Sequence, residues 1–224
     1  MMRGVIQDNI ILVNKPKGPT SFDVVRKIRQ KLKVKKVGHA GTLDPMAEGL
    51  LIVGIGAGTK KLGDFLKLPK TYDAKVLFGI RTDTGDITGM VLERKVVPKF
   101  DEEKFNSAVE SMVGKHSFPV PAYSAIKMAG QPLYKRARAG ETFDLPIKEM
   151  EIIHVSKGEM RSIQGGYEAC LTIRVSSGTY IRSIVQEIGR LMDLPATLLE
   201  LKRTSIGNYL LEDAVRVEDV ELLP

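Results

Sequence analysis

Residues 38–49, GHAGTLDPMAEG, crowd His39, Thr42, Asp44 and Glu48 into one polar, glycine-rich stretch that follows a run of basic residues. Asp-Pro is common turn chemistry, and as a turn the stretch needs no other explanation. Its setting argues for more. A carboxylate beside a stripe that binds polyanions would repel phosphates, so it serves no purpose in binding. An ionised carboxylate can instead attack a sugar C1′ or a polarised base carbon, provided that a cation keeps it ionised. Residues 176–182, SSGTYIR, run from a strand end into a helix start and offer one such cation, Arg182. Arginine in a first helical turn opposes the helix dipole, so Arg182 is either an ordinary surface residue or the partner of a carboxylate. Asp44 is one candidate, and spacing does not decide it. Residues 54–61, GIGAGTKK, suggest a phosphate-binding loop but match neither the P-loop nor the dinucleotide spacing, which leaves these glycines to tight turning.

The charge belongs to the same neighbourhood. Seven of the 34 Lys and Arg (Arg26, Lys27, Arg29, Lys31, Lys33, Lys35 and Lys36) fall within residues 26–36, which hold no acid; the other 27 balance the 27 Asp and Glu, so the net charge of +7 is one local stripe. Such a stripe either attracts polyanions, nucleic acid above all, or is a solvated helix face. With 43% hydrophobic and 27% charged residues the composition is globular, and a chain of 224 residues can bury a core without staples. A single cysteine, Cys170, excludes an internal disulfide and argues against zinc. The longest apolar runs are strand-length, and the first ten residues lack a signal-peptide core, so an intracellular, soluble protein is expected.

The elements that must position these residues follow from periodicity. Residues 9–14 read as a strand ended by the turn KPKGP, and Val25, Ile28 and Leu32 repeat at helical spacing behind a capping pair, Thr20 and Asp23. The polar loop 38–49 leads into a strand at 50–55 and a short helix at 59–66. Tyr72 opens a strand in which Ala74, Val76, Phe78 and Ile80 share its face. A turn-rich stretch, 81–89, returns as a strand at 90–97, and a helix covers 101–113. Residues 116–150 are irregular apart from a helix at 133–139, and a long irregular insertion is usually functional or mobile. Strands at 151–155 and 167–175, a helix at 181–192, residues 198–201, a basic turn at Lys202 and Arg203, and a last strand at 205–210 complete the pattern. Strands arriving in pairs predict one α+β domain with a mixed, largely antiparallel sheet and flanking helices.

Five groups of residues carry a family resemblance: Lys15-Pro16-x-Gly18; His39-Ala40-Gly41-Thr42-Leu43-Asp44-Pro45; Tyr72 with Arg81-Thr82-Asp83-Thr84-Gly85-Asp86; Pro121-Ala122-Tyr123-Ser124-Ala125-Ile126-Lys127; and Gly178-Thr179-Tyr180-Ile181-Arg182. In that order, from about Asn9 to Tyr209, they resemble the TruB family of tRNA pseudouridine-55 synthases. The resemblance implies the pseudouridine synthase fold and isomerisation of uridine 55 in the T-loop of tRNA, without metal or organic cofactor. The base is detached from its ribose, rotated and rejoined through carbon.

By the same resemblance Asp44 is the catalytic aspartate and Arg182 its paired arginine. Tyr72 stacks on the target base and assists proton transfer, Tyr180 and Leu201 line the pocket, and His39 fills the gap left by the flipped base. Lys15, Asp86 and Lys127 are expected on the substrate. Extruding the base costs a few kcal/mol of unstacking, which stacking on His39 and Tyr72 would offset in part. The segment 116–150 becomes a mobile clamp whose Lys127, Lys135, Arg136 and Arg138 suit phosphate contacts. The expected partner is the tRNA T-stem-loop, bound by a cytoplasmic monomer with no membrane and no obligatory protein partner. Typical members continue into a small PUA-type RNA-binding domain, which is expected to be absent here. The alternatives are an RNA-binding or tRNA-folding chaperone with a vestigial or secondary site, a synthase for another T-loop-like RNA, and an RNA-guided synthase within a ribonucleoprotein.

Overall fold

A capping box opens the first helix: Asp23 N donates to Thr20 Oγ1 at 3.0 Å, and Thr20 N donates to the Asp23 carboxylate at 2.9 Å. This is the computed structural model of the chain, which describes residues 5–6 and 9–221. Its elements in chain order begin with β1 (Ile10–Lys15), α1 (Ser21–Leu32), β2 (Val37–Ala40), β3 (Glu48–Ile55), α2 (Leu62–Lys67) and β4 (Lys70–Phe78). They continue with β5 (Ile80–Thr82), β6 (Val91–Arg94), α3 (Glu102–Glu110), β7 (Gly114–Pro119) and α4 (Leu133–Arg138). Last come β8 (Ile147–Ile163), β9 (Gly166–Val175), α5 (Ile181–Met192) and β10 (Ala196–Ile206). The chain divides into two compact units, residues 1–73 with 201–224, and residues 74–200.

In the first unit β3 is the organising strand. β1 pairs antiparallel with it from Ile10↔Gly54 to Lys15↔Gly49, which occupies one edge. The other edge takes β10 in parallel at Glu48–Gly49 and β2 antiparallel from Ile52 to Ile55. Alternation then sorts the side chains. Ile11, Val13, Leu51 and Val53 pack under Val24, Val25, Ile28 and Leu32 of α1, while Ile10, Leu12, Leu50 and Ile52 pack with Leu62 of α2. Cover on both faces explains why β1 and β3 are unbroken apolar runs rather than alternating ones. Val217 and Val220 join the α1 side, and there the acidic tail meets the basic helix: Glu218 accepts Lys27 at 2.6 Å, and its carbonyl accepts Lys31. Arg26 pairs with Asp23 at 2.7 Å. Part of the basic stripe is therefore met within this unit, while Lys33, Lys35 and Lys36 stay exposed.

In the second unit the strand order is β4, β9, β8, β7, with β8 antiparallel to both neighbours. Phe78, Phe100 and Phe105 meet edge to face at 5.2–5.6 Å, joining β4 to α3. α5 buries Ile181, Ile184, Val185 and Ile188. β5 and β6 form a separate hairpin. Among the described residues no helix is long and apolar enough to cross a membrane.

The expected α+β class with a mixed, mainly antiparallel sheet is what the strands form. Three local expectations are corrected. The polar loop is 41–47, because Gly38 and His39 pair with Gly54 and Val53 as part of β2; a strand that is short and half-exposed carries no apolar signature. The irregular segment is 120–146, since its flanks pair with each other from Ile147↔Pro119 to Ile152↔Gly114. Lys202 and Arg203 are not a turn but the middle of β10, which reverses later, at Gly207 (φ +57°), so that Tyr209–Leu210 pairs back on Ser205–Ile206.

Candidate active site

Backbone groups of the loop 41–47 in the first unit take bonds from several elements. Ser21, the first residue of α1, bonds Leu43 in both directions: its hydroxyl accepts from Leu43 N at 2.9 Å and donates to Leu43 O at 3.2 Å. Gly18 N donates to Pro45 O at 2.8 Å, and Ala47 N closes a turn on Asp44 O at 3.0 Å. Lys15 Nζ donates to Ala47 O at 2.6 Å and to Pro16 O at 3.0 Å. Arg203 reaches both ends of the loop, with Nη2 on Gly41 O at 3.0 Å and Nε on Leu50 O at 2.7 Å. These anchors fix the backbone at Asp44, and its side chain is half-buried.

Around the loop stand three buried cations, Lys15, Lys70 and Arg203. Lys70 Nζ donates to Leu66 O and Leu68 O, both at 2.6 Å. Burial, helped by the Arg203 charge, brings Lys15 and Lys70 down from 10.5 to about 8; for Lys15 the Asp44 carboxylate opposes the shift. His39, on β2, is lowered by burial and then by Arg203, so its ring is neutral at pH 7, and its Nδ1 is buried with no partner among the described residues. Tyr72 is buried on β4 with its ring centroid 6.0 Å from the Arg203 guanidinium carbon. Leu201 lies buried two residues before Arg203 on β10. Lys15, expected on the substrate, has its ammonium on the loop backbone.

The two lysines make a prediction about stability. Between pH 8 and 10.5 the unfolded chain still holds their protons while the folded chain has released them, so stability rises with pH across that window. Each contributes at most about 1.4 kcal/mol per pH unit. The urea midpoint of Lys15→Met should therefore climb less steeply than that of the wild type between about pH 8 and pH 10. Parallel curves would contradict the burial of the charged amine.

The remaining expected site residues lie in the second unit. Arg182 is the second residue of α5 and is buried, which rules out the ordinary surface reading. Its Nη1 donates to Thr84 O at 2.8 Å and its Nη2 to Tyr123 O at 2.9 Å, and Asp86 Oδ2 is 3.8 Å away. Asp86 organises its own turn. Its Oδ1 accepts Thr88 N at 3.0 Å, Thr88 Oγ1 at 2.5 Å and Thr84 Oγ1 at 3.0 Å. The sequence RTDTGDITG is thus a platform that presents the Thr84 carbonyl to Arg182. Tyr123 adds a side-chain bond to Asp83 at 3.3 Å. Tyr180 is half-buried at the start of α5, with Lys148 Nζ 5.9 Å from its ring centroid. Lys127 is exposed on a two-residue strand paired with Gln131–Pro132. Sequence reasoning missed Lys70 and Arg203; for Arg203 the available signal was alternation with Leu201 along a strand.

The N-terminal-domain model of the TruB family of pseudouridylate synthases matches residues 29–181. The tRNA pseudouridine synthase B of Thermotoga petrophila is 42% identical over 212 residues, covering 95% of this chain and 67% of that protein. The protein of the same name from Bordetella parapertussis is 37% identical over 224 residues, covering 99% and 90%. Among solved structures, a chain of the archaeal box H/ACA sRNP Nop10–Cbf5 complex superposes with a TM-score of 0.67 at 25% identity, over 96% of this chain and 53% of that one. A chain of an H/ACA RNP bound to a substrate RNA containing 2′-deoxyuridine does so with a TM-score of 0.69 at 25% identity, over 96% and 52%. The present chain spans about half the length of those two solved chains.

Proposed function

Because the chain belongs to the TruB family of pseudouridylate synthases, we propose that it isomerises a uridine of tRNA, position 55 in the T-loop, to pseudouridine. The single observation that carries the mechanism is the Asp44 loop, anchored through its backbone from β1, α1 and β10 so that one carboxylate is presented beside buried cations. Asp44 acts as the nucleophile, at the ribose C1′ or at C6 of the base. By either route the bond formed to the Asp44 carboxylate is broken again, the N1–C1′ bond breaks, the C5–C1′ bond forms, C5 gives up its proton and N1 gains one. Arg182, held by two carbonyls and the Asp86 carboxylate, is the cation that pairs with Asp44 and keeps it ionised. Tyr72 stacks on the extruded base and assists proton transfer, with Tyr180 and Leu201 lining its pocket. His39, being neutral, fills the vacated stack without a desolvated charge.

The segment 120–146 closes over the RNA, and its Lys127, Lys135, Arg136 and Arg138 contact phosphates. The enzyme acts in the cytoplasm as a monomer and needs no protein partner. The decisive experiment is the purified protein alone on a T-stem-loop transcript carrying uridine tritiated at C5. Tritium release, with pseudouridine mapped to position 55, is the expected outcome. Tight binding without release would favour a chaperone, and release from another position would change the substrate.

A further inference from the structure

Arg203 is 1% exposed in the middle of β10, and among the described residues no carboxylate lies within ion-pair distance of it. A guanidinium buried in that way is costly, and an apolar side chain of the same volume would pack at least as well if packing were its task. Its hydrogen bonds indicate another. Nε and Nη2 take the carbonyls of Leu50 and Gly41, which bracket the loop on either side of Asp44. The planar fork reaches both with one rigid group, which a lysine cannot do. The same guanidinium carbon lies 6.0 Å from the Tyr72 ring centroid. Gly41 (φ +84°) is closely covered, since a β-carbon there would lie 3.4 Å from Arg203 Nη1 and 3.9 Å from Lys70 Cε.

We propose that Arg203 is a positioning residue for the reaction: it staples the two ends of the Asp44 loop, sets the Tyr72 ring against it, and holds a fixed positive charge under the nucleophile. The proposal rests on Asp44 being that nucleophile. Arg203 itself touches neither base nor ribose. It acts through the loop, so its loss should leave RNA binding almost intact while the chemical step slows. Its charge favours the ionised carboxylate, so its loss should also let Asp44 hold a proton to higher pH.

The test compares Arg203→Met and Arg203→Lys in the full chain, by single-turnover tritium release from the T-stem-loop transcript, RNA dissociation constant, and the pH dependence of the rate. For Arg203→Met we expect a rate about 100-fold lower, with RNA affinity within about threefold of wild type. The acidic limb of its pH profile should move up by about one unit. Arg203→Lys restores the charge but not the fork, so its acidic limb should return to the wild-type position while its rate stays about tenfold low. A wild-type rate in either variant would overturn the proposal. So would an unmoved acidic limb in a folded Arg203→Met protein. Should the methionine variant fail to fold, Arg203→Lys carries the test, since a merely structural role for the fork predicts lower stability with an unchanged rate. Asp44→Asn run in parallel separates the two levels: if that variant isomerises normally, Asp44 is not the nucleophile, whatever Arg203 does.

Discussion

Asp44→Asn should bring isomerisation down by on the order of 10⁴-fold or more while leaving the protein folded and bound to RNA. The substitution keeps the shape of the side chain and removes its charge. The bonds to Ser21, Gly18, Lys15 and Arg203 all run through backbone groups of residues 41, 43, 45, 47 and 50, so these anchors stay in place when the carboxylate becomes an amide. An amide cannot replace an ionised carboxylate as nucleophile. RNA affinity should hold or rise slightly, because a negative charge near the phosphates is removed. Tritium release and a binding isotherm on the same transcript check the two halves. Wild-type levels of pseudouridine from this variant would remove Asp44 from the mechanism. Full rescue of a deletion strain by the inactive variant would put tRNA folding ahead of isomerisation.

Gly49→Ala should be the most damaging small substitution in the first unit. Gly49 has φ +108° and lies between two strands, opposite Lys15 of β1 and Arg203 of β10. A β-carbon there would fall 2.7 Å from Arg203 N and nearer still to Arg203 O. Both atoms are backbone and cannot turn aside, so β3 and β10 would have to part, lifting Arg203 from Gly41 and Leu50. We expect a loss of at least roughly 3 kcal/mol and a fall in the rate of isomerisation. Gly18→Ala is the matched control: φ is +105°, but there is nothing within 4 Å of the added carbon, so only backbone strain of roughly 1–2 kcal/mol applies. Equal urea midpoints for the two variants would show that the close approach at Gly49 does not matter.

Much of the frame was readable because neighbours in sequence report it. Thr20 and Asp23 cap α1 at the spacing that marks a capping box, and the alternation from Tyr72 to Phe78 appears as one buried face of β4. The start of α5 at Ile181, with Arg182 in its first turn, was visible as a break at Ser176–Gly178 before a helical repeat. Other elements left no local mark. β2 is two glycine-sized or polar positions between a valine and an alanine, and only pairing with β3 makes it a strand. β7 (GKHSFP) ends on a proline and the start of β8 (IKEME) is rich in charge, and each is a strand because the other lies beside it.

The site divides in the same way. The residues proposed for it, Asp44, Tyr72 and Arg182, stand in motifs whose residue types and order suffice to single them out, and resemblance supplied the roles that spacing left open. By itself the sequence determined the family, the kind of chemistry and the helices and strands that carry it, because each of these is written in residues a few positions apart. Only the tertiary structure decided what surrounds the Asp44 loop. Arg203 looks like part of a basic turn until β10 is laid parallel to β3 at Gly49, and Lys15 reaches the other side of Gly49 through β1, so both cations lie inside the unit and on backbone carbonyls. Burial and hydrogen-bond partners across so long a stretch of chain depend on which strands meet, and no local pattern of residue types encodes that.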